Sequence, residues 1–497
     1  MSGLRALVDS VLVPGFTGTE MPDWLARRLE RGLAGVCWFG HNVVDVAQAR
    51  ALADTLHATR DGVLVLCDEE GGTVTRLEAE AGSSWPGHAT LGHLDDIATT
   101  EAVAAELGRH ARAAGVDVVL APVVDVNSDP ANPVIGVRSF GADPGLVARH
   151  GAAFVTGLQA GGVAACAKHY PGHGATRTDS HLALPRVDDA AAVLRSRDIA
   201  PFEAAVAAGA RCVMTAHVVF PALDDAPATM SRRLLDLLRD EIGFEGVICS
   251  DALDMKAVSA GVGRGPGAVR ALASGVDLLC IGNPRFPEAY DAEEVLDEIA
   301  GAVVEAVRHG RLSRARLEEA AARVAELGPW VRRAGVAADE APPPPGQAHG
   351  QAAPCGAEAA RQALEPRGDV RVDGDLLLVQ VTGPVGLAAG HRRAPLADAL
   401  LERNRATQLA DASGPGDVAD LVRRWAGHPV VVVVGQRGDP AATQTLEAIL
   451  AARPDAVVVY TGLSWPDDPG TRTIHCHGGG RATADAVVEL LLGRREP

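Results

Sequence analysis

The sequence predicts an α/β protein: an N-terminal (β/α)8 TIM-like barrel followed by a smaller α/β sandwich domain. Three observations predict it. Short β-branched runs at 35–39, 63–68, 116–124, 163–168, 212–217, 247–250 and 276–281 are apolar on both faces, as strands covered by helices must be. Between them lie stretches with helical spacing, such as Val103-Ala104-Ala105-Glu106-Leu107 and Leu234-Leu235-Asp236-Leu237-Leu238. The alternation stops at residues 337–354, where four consecutive prolines favour an extended spacer.

Seven or eight βα units in one unbroken run favour closure into a barrel over a doubly wound sheet. The expected organisation is a catalytic barrel over 1–336, a Pro-rich linker over 337–354 and a C-terminal α/β sandwich over 355–497. In that last part apolar strand candidates recur at 376–381, 430–434 and 456–460, separated by helix-compatible sequence. The Gly478-Gly479-Gly480 stretch follows no strong strand and is a weak phosphate signal.

Composition excludes several classes of partner. The 497 residues are 47% hydrophobic and 22% charged, an ordinary globular mixture. Forty-six basic against 64 acidic residues give a formal charge of −18, which repels phosphate backbones and anionic membrane surfaces. No nucleic acid and no membrane is expected as a partner; a small neutral ligand is. The run at 430–434 is far too short to span a bilayer, and Asp9 interrupts the N-terminal apolar residues before a signal sequence forms. The eight cysteines show no CxxC pair, and five of the first six lie in strand-like runs. That usage suits a reducing compartment, and the expected location is cytoplasmic. Nothing in the sequence fixes the oligomeric state.

Polar residues that are costly to bury collect where the expected barrel strands end. The run at 63–66 leads into Asp68-Glu69-Glu70-Gly71-Gly72 and Arg76, and the run at 116–124 leads to Asp125 and the loop with Arg138. Farther on come Lys168-His169-Tyr170-Pro171-Gly172-His173, then Asp179-Ser180-His181, His217, and Ser250-Asp251. In a barrel these groups converge on one mouth, as a small-molecule site requires. Lys168 is one of only two lysines in an arginine-rich chain, which points to a place where a compact cation is needed. The His169/His173 spacing would suit zinc on a helix, but Pro171-Gly172 breaks that helix and describes a mobile loop instead. Asp179 and His181 have the make-up of a carboxylate–imidazole acid–base pair.

The segment from Lys168 to His181 resembles the signature loop of family 3 glycoside hydrolases, and is closest to their β-N-acetylglucosaminidase (β-hexosaminidase) branch. Asp68-Glu69-Glu70-Gly71-Gly72, Met214-Thr215-Ala216-His217, Pro227-Ala228-Thr229-Met230-Ser231 and the segment from Gly243 to Asp251 are similar to further family segments, in order. The resemblance spans residues 5–330; the C-terminal third resembles the second domain of two-domain members only loosely. The chain departs from the pattern at Glu69, Thr73 and Ala252, where Gln, Arg and a second acid are usual, which bears on subsite preference.

The resemblance implies a retaining, exo-acting β-N-acetylglucosaminidase that needs no cofactor and no metal. Asp251 would attack the anomeric carbon. His181 would serve as general acid and then base, oriented by Asp179. Asp68, Arg76, Arg138, Lys168 and His169 would bind the sugar and its acetamide. An imidazole titrates near pH 6.5 and adds no second anion beside Asp251. Its expected partner is an N-acetylglucosaminide from cell-wall fragments or chitin oligosaccharides, which for cell-wall fragments means peptidoglycan recycling. A phosphorylase working at the same site is the first alternative. A metal-dependent barrel hydrolase using His169, His173, His217 and Asp251 is the second. His475-Cys476-His477 has metal-ligand residue types but reads as an ordinary loop.

Overall fold

The chain was analysed as a computed structural model that describes residues 2–340, 354–381, 395–418, 425, 427–435, 440–463 and 470–493. The first part carries β1 (Leu12–Val13), β2 (Gly35–Trp38), β3 (Leu64–Cys67), β4 (Val118–Val119), β5 (Ala164–Tyr170) and β6 (Cys212–Thr215). A short hairpin, β7 (Val219–Phe220) and β8 (Asp224–Pro227), precedes β9 (Val247–Ser250) and β10 (Leu279–Cys280). Strands β2-β3-β4-β5-β6-β9 form one parallel sheet, and β1 pairs in parallel with β10. The Cys37 N–H donates to the Pro14 carbonyl at 3.0 Å, and the Ser250 N–H to the Leu278 carbonyl at 2.9 Å. These bonds join the two sheets into a closed eight-stranded barrel.

Side chains alternate across its wall. Cys37, Leu64, Leu66, Cys166, Cys212, Met214, Cys249 and Cys280 fill the interior, while Val36, Trp38, Val65, Val213 and Ile248 pack outward under the helices. Thiols therefore act as small apolar fillers in a narrow core. Among the helices, those at Val46–His57, Pro144–Ala160 and Ala292–Arg308 begin at Asp45, Asp143 and Asp291, each accepting a backbone N–H in its first turn.

The helix Arg314–Glu340 closes the bottom of the barrel and extends past the expected boundary at 336. Val324, Leu327 and Val331 join the barrel interior. Arg316 and Arg323 reach Asp277, fully buried before β10, at 2.6 and 3.3 Å, and Arg239 bonds it as well. The proline run lies outside the described residues.

After it, β11 (Glu365–Arg367), β12 (Leu377–Val381), β13 (Gln408–Ala412), β14 (Val430–Val434), β15 (Val457–Tyr460) and β16 (Thr473–His475) form a second sheet. Its order is β11-β16-β15-β14-β12-β13, parallel except for the edge strand β11. Helices cover both faces, Pro395–Arg403 and Arg481–Leu492 on one and Pro440–Ala452 on the other. The two parts touch closely: Gly480 lies against the backbone of Gly72, where a Cβ on Gly480 would stand 2.8 Å from the Gly72 carbonyl oxygen. The glycine stretch, which leads into the helix Arg481–Leu492, thus allows close packing of backbones.

Asp277→Ala strands Arg239 and Arg316 without their carboxylate and is expected to cost about 3–5 kcal/mol, read by urea unfolding. A chain ending at Val336 keeps Val331, the last helix residue in the barrel core, and is expected to fold with native-like circular dichroism. Insoluble product would mean that the second domain covers an apolar barrel face.

Candidate active site

A cavity of about 1340 Å3 opens at the C-terminal ends of the barrel strands. Asp68, Arg76, Arg138, Lys168, His169, His181 and Asp251 all line it. Asp179 does not; it stands behind His181.

Buried charges form one wall. The Lys168 ammonium lies 2.7 Å from both Asp68 Oδ1 and Glu70 Oε1. Arg138 grips Glu70 through Nε at 2.9 Å and Nη2 at 2.8 Å, and Arg76 approaches Asp68 at 3.3 Å. Burial pushes the Glu70 and Asp68 carboxyls up, but the cations outweigh it and hold both below the usual carboxylate range. Two of the three ammonium protons of Lys168 meet carboxylates, leaving the third for a ligand. Arg138 acts first as the brace of Glu70.

Asp125, fully buried beyond β4, organises the next group. Its Oδ2 meets His169 Nδ1 at 2.8 Å, and Oδ1 accepts the backbone N–H of His173 at 2.7 Å. His173 then spends both ring nitrogens, on Thr176 at 2.7 Å and Ser180 at 2.9 Å. Its burial lowers its pKa to about 4, so the ring stays neutral. Gly174 packs on the Val126 carbonyl where a Cβ has no room. The loop expected to be mobile is tied down through Ser180.

That anchoring places the dyad. Asp179 Oδ1 accepts from His181 Nδ1 at 2.7 Å and from the His181 N–H at 2.8 Å. Burial raises the Asp179 carboxyl, but its bonds to His181 and that ring's charge bring it below its ordinary value. An ionised carboxylate only accepts, so Nδ1 carries a hydrogen and Nε2 is left to exchange protons. The Ala257 N–H donates to the Ser180 carbonyl and the Lys256 N–H to that of His181, each at 3.3 Å, joining this loop to the segment after Asp251.

Asp251 follows β9, with Oδ1 accepting the Ala252 N–H at 2.7 Å. Burial pushes its carboxyl up; His169, His217, His181 and the Ala252 N–H outweigh that and hold it low, as an anion. His217 Nε2 donates to the Ala252 carbonyl at 3.0 Å, and Nδ1 accepts from Thr229 at 2.8 Å. His217 thus braces the backbone beside Asp251. With both His173 and His217 fully engaged, the set His169, His173, His217 and Asp251 offers no ligand sphere, and the metal-hydrolase alternative loses its centre.

Some residues that build the site were not singled out from the sequence. Glu70 and Asp125 stood in the strand-end motifs, but their role as partners of Lys168, His169 and His173 depends on contacts across strands. Asp254 lines the cavity, accepts from Asn283 N–H at 2.8 Å and Tyr290 OH at 3.2 Å, and burial raises its pKa to about 7. Asp398, Leu401, Glu402 and Arg481 reach the cavity from the second domain, at the far end of the chain. No local pattern could have announced them.

A closed parallel barrel with an anionic aspartate and a carboxylate–imidazole pair at one mouth has the equipment of a group-transfer enzyme acting on a small polyol. Residues 18–327 match the family described as Glycosyl hydrolase family 3 N terminal domain. The chain belongs to glycoside hydrolase family 3. It is 37% identical over 304 residues to a β-hexosaminidase of Stenotrophomonas maltophilia, covering 59% of this chain and 87% of that one. It is 34% identical over 336 residues to β-hexosaminidase A of Pseudoalteromonas piscicida, 62% of this chain, and spans 55% of that protein. Among solved structures, a family 3 β-N-acetylglucosaminidase from Paenibacillus sp. superposes with a TM-score of 0.84 at 30% identity, covering 99% and 96% of the two chains.

Proposed function

We propose that this chain is a retaining, exo-acting β-N-acetylglucosaminidase. The observation that carries the reading is the sharing of one cavity by the Asp251 carboxylate and His181, whose ring Asp179 holds from behind, beside the polar wall of Asp68, Lys168, Arg76 and Arg138. Similarity to β-hexosaminidases supports the substrate class.

In this mechanism the sugar hydroxyls meet Asp68 and the remaining donors of Lys168, Arg76 and Arg138, with His169 beside them. Asp251 attacks the anomeric carbon as His181 Nε2 gives its proton to the departing oxygen. A covalent glycosyl–enzyme forms and the aglycone leaves. His181, now neutral, takes a proton from water, which attacks the anomeric carbon and releases Asp251. Asp179 keeps the imidazole in the required tautomer by accepting from Nδ1. No step calls on a metal or cofactor.

The natural substrate under this reading is a terminal N-acetylglucosamine on a cell-wall fragment or chitin oligosaccharide. Free cysteines throughout the barrel wall fit a reducing cytoplasm, where cell-wall fragments are recycled. Among the described residues no helix is long and apolar enough to cross a membrane. Product analysis on chitobiose and a muropeptide, with and without phosphate, tests both substrate and acceptor; release of sugar 1-phosphate would assign a phosphorylase.

Asp251→Ala should remain folded, with turnover of a β-N-acetylglucosaminide almost abolished. Near-wild-type activity in the purified variant would remove Asp251 as nucleophile. The leaving group separates His181 from Asp254, a carboxyl lining the same cavity whose pKa burial raises to about 7. A positioned general acid contributes about 10²–10⁴-fold, and a nitrophenolate hardly needs it. His181→Ala should therefore cut chitobiose cleavage at least about tenfold more than nitrophenol release, with Asp179→Ala showing a weaker form of that selectivity. Asp254→Asn, which disturbs the brace of the 282–290 segment, should lower both substrates alike. Equal losses in His181→Ala would make that histidine a binding or structural residue.

A further inference from the structure

The tripeptide His475-Cys476-His477 does not act as a unit. Cys476 is buried, and the His475 ring stacks on Tyr460 with centroids 4.7 Å apart. His477 is different. Its backbone is in the left-handed region at φ 52°, and its carbonyl accepts from Thr90 of the barrel at 3.1 Å. Its ring faces that of His93, centroids 3.6 Å apart and planes 9° from parallel. His93 closes the barrel helix His88–Leu94, and between the two rings and the solvent lies Glu365 of the edge strand β11.

Glu365 Oε1 is 3.6 Å from His93 Nε2, and Oε2 is 3.3 Å from His477 Nε2. Charge-assisted hydrogen bonds are shorter, about 2.7–2.9 Å. The His477 contact is a long hydrogen bond, and both separations are close to the spacing of about 3.3 Å that neighbouring ligands adopt on a tetrahedral ion with bonds of about 2.0–2.1 Å. One ligand atom from each of the three residues lies within 4.8 Å of the others. We propose that His93, Glu365 and His477 bind a zinc-class divalent cation that staples the barrel to the C-terminal domain.

Two imidazole nitrogens and one carboxylate suit a borderline ion such as Zn2+, with water completing the tetrahedron. A nitrogen lone pair lies in the ring plane, so the stacked rings must splay for both to point at one ion. The side-chain exposures show which can move: 31% for His93 and 46% for Glu365, against 10% for His477. His477 is the fixed anchor, and the other two close on the ion by side-chain rotation. The ligands come from both domains, so binding adds a bond across the seam where Gly480 meets Gly72. The active-site groups contribute nothing to this cluster.

The test is calorimetric titration of the chelator-stripped full chain with Zn2+, alongside thermal unfolding. The wild type should bind one ion per chain at this site, with a Tm that climbs with free Zn2+ and falls back on adding chelator. His93→Gln, on the exposed side of the cluster, and His477→Gln should each weaken that binding at least about tenfold. Metal-free turnover of an aryl N-acetylglucosaminide should be unchanged in His93→Gln, which shows that the variant is folded. Absence of zinc binding in the wild type would overturn the proposal. So would binding undiminished in folded His93→Gln, since the ion would then sit elsewhere.

Discussion

The Lys168 ammonium, held between Asp68 and Glu70, is the constraint on which the site rests. It bridges the segment after β3 to a residue within β5, two strands away in the barrel wall. Burying three charges is costly, and only near-complete pairing offsets the lost hydration. Arg138 supplies the fourth charge and closes the account on Glu70 with a two-pronged contact. Lysine suits the central place because a compact ammonium can touch two carboxylates at 2.7 Å while keeping a third proton for a ligand. A planar guanidinium would match one carboxylate well and crowd the other. The wall that results presents acceptors and donors already fixed in place, so that, under the glycosidase reading, a sugar need not organise them on binding.

A second dependence runs from Asp125 to the chemistry. Its carboxylate takes the ring of His169 and the backbone of His173; His173 holds Ser180; and Ser180 sits between Asp179 and His181. Every link is a short hydrogen bond between buried groups, so the dyad on a surface loop inherits the rigidity of the barrel. Asp251 is held from the other side, through Ala252 and His217. A histidine acid offers an advantage here that a carboxylic acid would not. The imidazoles around Asp251 lower its pKa and hold it as an anion, as the proposed nucleophile must be, whereas a further carboxylate would raise it.

How much of this was legible follows from burial on two faces. Seven barrel strands announced themselves because both faces are covered and their residues are apolar throughout; β1, only Leu12 and Val13, was too short to register. In the second domain the central strands β12, β14 and β15 were legible as valine-rich runs. The edges β11 and β13 were not, since Glu365–Arg367 is exposed and Gln408–Ala412 mostly polar or small. The same logic holds at the site. Strand-end residues such as Asp68, Lys168 and Asp251 could be picked out because charge next to an apolar strand is conspicuous. Asp254, a polar residue in a turn, is not.

The residues least legible are those that give the second domain a place at the cavity. Arg481 is caught by Glu402 at 3.0 and 2.5 Å and by Asp485 at 2.9 Å, so most of its charge is answered within its own domain. It presents with Glu402 and Asp398 a mixed-charge rim, and Glu80 and Arg285 stand on the barrel side of the same opening. The cavity therefore has two parts made by different means. The inner part is a buried, charge-paired network built by consecutive strands of one barrel, fixed enough to position a reacting bond. The outer part is assembled across a domain seam from exposed ion pairs, which are individually weak and readily rearranged. Under the glycosidase reading, the inner part meets the terminal sugar and the outer part meets whatever that sugar is attached to. Substitutions along the seam would then change preference among leaving groups while the machinery for bond cleavage stays as the barrel made it.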